Sequence, residues 1–179
     1  MKTSLRTLCL GIAVSLVTVA GVSSAEEKRA SPHEKVSAVV GKANVTVEYG
    51  RPLKKSREIF GALVPYGDVW RTGADEATTL TTDADLVIGD VTVPKGKYSL
   101  FTLPTKDSWK LIINKTPDQW GAYKYDAKQD LGRTSLKVSA APASVEQFTI
   151  AIKTGADKKS SLELAWDKTV ASVSIASKP

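Results

Sequence analysis

The chain has 179 residues, with 25 Lys and Arg against 19 Asp and Glu, one cysteine and one histidine. That inventory excludes an internal disulfide and any metal centre built from several cysteines or several histidines. The formal charge of +6 is a mild excess, from which no nucleic-acid partner is read.

Lys2 and Arg6 flank the start of an apolar run from Leu8 to Ala20, and small residues follow to Ser23-Ser24-Ala25. This is the three-part layout of a secretory signal, with cleavage expected after Ala25. An uncleaved anchor is the rival reading, since the run approaches the roughly 18 residues that span a bilayer, but the small-residue exit favours removal. Cys9 would leave with the signal, so the exported chain would hold no thiol nucleophile and no Cys-ligated metal. With Lys2 and Arg6 gone and no acidic residue lost, the remaining 154 residues carry a net charge of +4, and that length suits one core. The expected destination is the periplasm or the medium, with no stable membrane span after cleavage. Residues 26–36 read as a flexible lead-in and 37–179 as a single β domain.

From Ser37 onward apolar residues recur with period two, the mark of half-buried strands. Val45, Val47 and Tyr49 alternate with Asn44, Thr46 and Glu48. The same rhythm runs through Trp109, Leu111 and Ile113, through Phe148, Ile150 and Ile152, through Leu162, Leu164 and Trp166, and through Ala171, Val173 and Ile175. Gly89-Asp90 between two apolar triplets predicts a type II′ hairpin, Pro94-Lys95-Gly96 a second turn, and Asp167-Lys168 a third. No helical stripe of similar length exists, so the expected fold is all-β, an antiparallel β-sandwich or jelly roll.

Two segments break the rhythm, Gly50 to Thr72 and Thr116 to Thr134, the second with a short helical turn expected around Asp126 to Leu131. Long connections in a compact domain are often the functional ones. Just beyond the first, Trp70-Arg71-Thr72-Gly73-Ala74-Asp75-Glu76 offers an aromatic face, a planar guanidinium and two carboxylates, a set suited to a sugar, a carboxylate or a peptide terminus. The expected ligand patch is Arg57, Tyr66, Trp70, Arg71, Asp75, Glu76 and Trp120. In the competing structural reading Arg71 pairs internally with Asp68, Asp75 or Glu76 and Trp70 belongs to the core. Arg51, Lys54, Lys55 and Arg57 form a basic cluster that either attracts an anion or is merely solvated. Trp120 and Tyr123 offer a stacking platform or a plug for one end of the sandwich.

Catalysis by a carboxylate pair would draw on Asp68, Asp75 and Glu76. Asp75 and Glu76 are neighbours, however, and on a strand would face opposite sides unless the chain turns between them. His33 beside Glu34 is read as part of a solvated tail, so no metal and no cofactor are expected. Nucleotide-binding glycine motifs, the GxSxG elbow and the HExxH helix are all missing from the sequence.

Ser31-Pro32-His33-Glu34, Val45-Thr46-Val47-Glu48-Tyr49-Gly50-Arg51-Pro52, the Gly61 to Leu80 block and Gly96-Lys97-Tyr98-Ser99-Leu100-Phe101 together resemble an exported bacterial family, domain of unknown function 2911. Within that block the motif running from Val69-Trp70-Arg71-Thr72-Gly73 to Ala77-Thr78-Thr79-Leu80 is the most specific part. The resemblance implies a family and no activity, and it carries over no catalytic residues. Some members bear the label asparagine synthetase B, which would require a cysteine glutaminase site and an ATP-binding domain that a thiol-free chain of this size lacks. The resemblance also implies that a carboxylate at position 75 is dispensable, because members often carry Asn there.

Three functions follow as expectations. The first is non-catalytic binding of a small polar molecule, carbohydrate or peptide in the cell envelope. The second is a hydrolase of envelope carbohydrate or peptide, and the third a structural envelope protein without a ligand.

Overall fold

The structure, a computed structural model, describes residues 30–155 and 159–178; the leader expected over residues 1–25 lies outside them. Among the described residues nine strands form an antiparallel sheet that folds over on itself without closing into a barrel: β1 (His33–Val40), β2 (Ala43–Gly50), β3 (Thr78–Thr82), β4 (Leu86–Ile88), β5 (Val91–Val93), β6 (Gly96–Pro104), β7 (Trp109–Asn114), β8 (Asp130–Thr154) and β9 (Ser160–Ser177). Their spatial order is β1-β2-β3-β6-β7-β8-β9-β4-β5. β8 is the corner: Asp130 to Leu136 pair with β7, whereas Lys137 to Thr154 pair with β9. One strand thereby joins both layers of a sandwich-like domain, as expected from the short alternating strands. Among the described residues no helix is long and apolar enough to cross a membrane.

The alternation seen in the sequence matches the burial. Val45, Val47 and Tyr49 are buried and Asn44 and Glu48 exposed on β2, while Leu162, Leu164 and Trp166 are buried on β9. Gly89 turns the β4–β5 hairpin with a left-handed φ of 60°, and Asp90 is not left-handed, as a type II′ turn requires. A Cβ at Gly89 would lie 2.1 Å from Thr134 Oγ1, so the site also lacks room for a side chain. The short helical turn appears as a single 3₁₀ turn over Ala127–Gln129, capped by Asp126.

Three features depart from expectation. β1 begins at His33, inside the stretch read as lead-in, because its pairing with β2 continues to His33 opposite Gly50. Asp167-Lys168 is not a hairpin: β9 runs through it, and the reversal lies where the Gly155 N–H meets the Lys159 carbonyl. Asp167 instead has φ of 50° at a register shift where β8 carries extra residues opposite β9, a bulge that bends both strands. Finally, alternation fails on β6 and β7, where Tyr98 to Thr102 and Leu111 to Asn114 are buried in unbroken runs. A second apolar cluster explains this: Ala77, Phe101 and Ile112 on the far face are covered by Val69, Leu103, Ala122 and Tyr125. Tyr125 packs edge-on against Phe101 at 5.0 Å. Its hydroxyl donates to Asp130 and accepts from Arg133, both at 2.7 Å. Burial, with the Asp130 contact second, pushes its pKa up to about 12.

The main core is aromatic. Trp70 lies nearly parallel to Trp166, with ring centres 5.9 Å apart and planes 16° from parallel, and packs edge-on against Phe148 at 5.1 Å and Phe60 at 6.1 Å. Phe60 in turn meets Trp109 at 4.5 Å. The first irregular segment is therefore a plug between the layers. Its backbone is stitched in as well: Trp70 and Thr102 exchange N–H to carbonyl bonds of 2.8 and 2.9 Å, and the Phe148 N–H donates to the Pro52 carbonyl at 2.9 Å.

Trp70→Ala should cost about 3–5 kcal/mol in urea unfolding, whereas Trp120→Ala, at a residue 60% exposed, should stay within about 0.5 kcal/mol. A second expectation concerns Asp167, whose carboxyl is held below the usual range chiefly by Lys54 at 2.7 Å, with desolvation opposing as the next influence and the Ser144 hydroxyl at 2.9 Å helping after it. A folded-state pKa below the unfolded value gives stability that is present above the unfolded pKa and is lost as pH falls through the folded one. Asp167→Asn should be less stable than wild type at neutral pH, with the difference closing in acid unfolding series below about pH 3.9.

Candidate functional site

The loop between Trp70 and Thr78 has an unusual backbone that its surroundings impose. Thr72 and Asp75 are left-handed, with φ of 59° and 61°. The Thr78 hydroxyl donates to the Thr72 carbonyl at 2.6 Å, the Trp70 indole N–H to the Gly73 carbonyl at 3.2 Å, and the Gly121 N–H to the Asp75 carbonyl at 3.0 Å. The Ala77 N–H donates to the Gln119 carbonyl at 2.8 Å, so the second irregular segment clamps the first. On the other side the loop presses on the end of β2, where a Cβ at Gly50 would stand 2.3 Å from the Ala74 carbonyl oxygen. Only glycine permits that approach.

Two concavities flank this loop. The first, about 300 Å³, is lined by Trp70, Arg71, Asp75, Trp166, Lys55 and Arg57 together with Ser31, Gly73 and several apolar residues. Among the described residues the buried side-chain polar atoms without a hydrogen-bond partner are Arg71 Nε, Ser99 Oγ and Trp166 Nε1. Two of these three thus belong to residues lining one cavity, and both are obligate donors. Arg71 forms no ion pair with Asp68, Asp75 or Glu76. Of the basic cluster, Arg51 is engaged structurally: it pairs with Glu34 and donates to the Phe148 carbonyl at 3.0 Å and Thr149 Oγ1 at 2.8 Å. Lys54 is held by Asp167, and the Arg57 guanidinium donates to the carbonyls of Lys54 and Leu53; from this cluster Lys55 and Arg57 join Arg71 in the cavity lining.

The second concavity, about 400 Å³, is lined by His33, Glu48, Tyr49, Gly50, Glu76, Ala77, Thr79 and Asp118. At its edge, where the backbone is left-handed at Asp75, both adjacent carboxylates approach one imidazole, Glu76 from this concavity and Asp75 from the lining of the first. His33 Nε2 lies 3.3 Å from Asp75 Oδ2 and 3.2 Å from Glu76 Oε2. Sequence reasoning placed Asp75 and Glu76 in the site but left His33 in a solvated tail. Its only signal was an imidazole at the start of a strand that pairs with the glycine touching the loop.

The remaining expected residues lie apart from both cavities. Asp68 and Tyr66 sit on exposed turns and line neither, and Trp120 is exposed although its backbone bridges to Glu76. Trp70 is both core and cavity wall. Of the carboxylates considered for a hydrolase, Asp75 and Glu76 both lie within 3.3 Å of His33 Nε2, whereas Asp68 lines neither cavity.

Gly50→Ala should lower stability by about 1–3 kcal/mol through overpacking against the Ala74 carbonyl, read as a lower midpoint in thermal or urea unfolding.

The model of the family described as protein of unknown function (DUF2911) matches residues 31–175, and the chain belongs to that family. Neither a curated protein nor a solved structure gives a significant match.

Proposed function

We propose that this member of the family is an exported, non-catalytic binding protein for a small polar ligand carrying a hydrogen-bond acceptor, such as a carboxylate, a sugar or a peptide terminus. The observation that supports the reading is the pair of orphan donors, Arg71 Nε and Trp166 Nε1, in residues that line one cavity. A buried donor without an acceptor costs about 1–3 kcal/mol; both atoms are sealed from solvent, so a ligand's acceptor would recover that energy once the side chains turn toward the cavity. Guanidinium suits this task because its planar fork meets a carboxylate with two parallel bonds. Lys55 and Arg57 add positive charge to the lining, and the Trp70 and Trp166 rings add rigid apolar surface. A volume of about 300 Å³ sits at the small end of ligand sites, the size of an amino acid or monosaccharide.

A thermal-shift panel of amino acids, short peptides, sugars and simple carboxylates is the test, because a ligand that binds only the folded form raises its midpoint. At least one carboxylate-bearing or sugar ligand should raise it. Arg71→Ala should abolish that shift while leaving the unliganded midpoint within a few degrees of wild type. A flat response across the panel favours the structural reading, and a collapse of the Arg71→Ala variant makes Arg71 a structural anchor.

A further inference from the structure

We propose that His33, Asp75 and Glu76 form a binding site for a divalent transition-metal ion of the Zn²⁺ class, with His33 and Glu76 lining the 400 Å³ concavity and Asp75 lining the neighbouring Arg71 cavity. His33 Nε2, Asp75 Oδ2 and Glu76 Oε2 can each offer one ligand atom, and the three lie within 4.8 Å of one another. Their spacing is informative. With metal–nitrogen and metal–oxygen bonds of about 2.0–2.2 Å, neighbouring ligands of a tetrahedral ion stand about 3.4 Å apart and those of an octahedral ion about 3.0 Å apart. The two distances from Nε2, 3.3 and 3.2 Å, fall between these edges. His33 Nε2 and Asp75 Oδ2 also form a hydrogen bond at that 3.3 Å, longer than the about 2.7–2.9 Å usual for a charge-assisted N–H···O⁻ bond. An imidazole nitrogen carries at most one hydrogen, whereas a cation in the middle can be shared by all three groups at once.

The surroundings fit the same reading. Glu48 and Asp118, the other carboxylates lining the concavity, are already matched by Lys35 at 2.8 Å and Lys97 at 2.6 Å. Asp75 is not matched by any Lys or Arg among the described residues; its charged partner is His33. The ligand-bearing residues stand on fixed backbone: His33 is paired opposite Gly50, Asp75 is held by Gly121, and Glu76 bridges to Trp120. One imidazole with two carboxylates and no thiolate favours Zn²⁺ over Ca²⁺ or Mg²⁺, which take all-oxygen shells. The concavity leaves the remaining coordination positions open to water or to a ligand atom.

Isothermal titration of Zn²⁺ into untagged, chelator-treated protein tests this, with Ca²⁺ and Mg²⁺ in parallel and the melting temperature read with and without chelator. The expected result is saturable Zn²⁺ binding at one ion per chain, tighter than for Ca²⁺ or Mg²⁺, with a rise in midpoint that chelator reverses. His33→Gln and Glu76→Gln should each weaken it by at least about tenfold, or 1.4 kcal/mol, while keeping metal-free midpoints within a few degrees of wild type. Glu48→Gln, in the same concavity but outside the triad, should change the affinity by less than about threefold. Co²⁺ should give visible d–d absorption that either triad variant removes. Lack of saturable Zn²⁺ binding overturns the proposal, as does wild-type affinity in both triad variants or a larger loss from Glu48→Gln than from either.

Discussion

The fold depends on a tryptophan that arrives from a loop. Trp70 lies on neither layer's regular strands, yet its indole stacks on Trp166 of β9 and meets Phe148 of β8 and Phe60 of its own segment. Aromatic rings of this size supply much of the apolar area that a core without disulfides has available. The same insertion orients the polar residues that follow, because the Trp70 backbone is tied to Thr102 of β6 and the chain must then rise from core to surface within a few residues. Left-handed backbone at Thr72 and Asp75 is the local consequence. The position of Arg71, Asp75 and Glu76 is therefore inherited from the packing of Trp70.

Much of the architecture was legible in the sequence because period two survives wherever one strand face meets the core and the other meets water. β2 and β9 are such strands. The rhythm fails on β6 and β7, where the connection before β8 covers the outer face and makes both sides apolar. It also misleads at Asp167, whose turn-forming character was spent on a bulge within one continuous strand rather than on a reversal. Local chemistry registers a tendency to bend, and the partner strand decides what the bend becomes.

For the site, composition pointed to the Trp70 to Glu76 stretch, and both concavities border it. Two contributors stayed hidden for different reasons. Trp166 reads as a core residue and is one, so its unpaired indole nitrogen emerges only once every hydrogen bond has been assigned. His33 precedes Asp75 by 42 residues, and their approach rests on strand pairing and on a backbone conformation that non-glycine residues seldom adopt. No spacing rule anticipates that meeting.

The position of β9 bears on when this molecule can acquire its shape. The last strand in the chain is not an edge: it lies between β8 and β4, and it delivers Trp166 to the middle of the aromatic cluster. β4 has no sheet to join until β9 is present, and Trp70 has no ring to stack on. Contacts that span most of the sequence form late and slowly, so an unfinished polypeptide cannot lock into its final form.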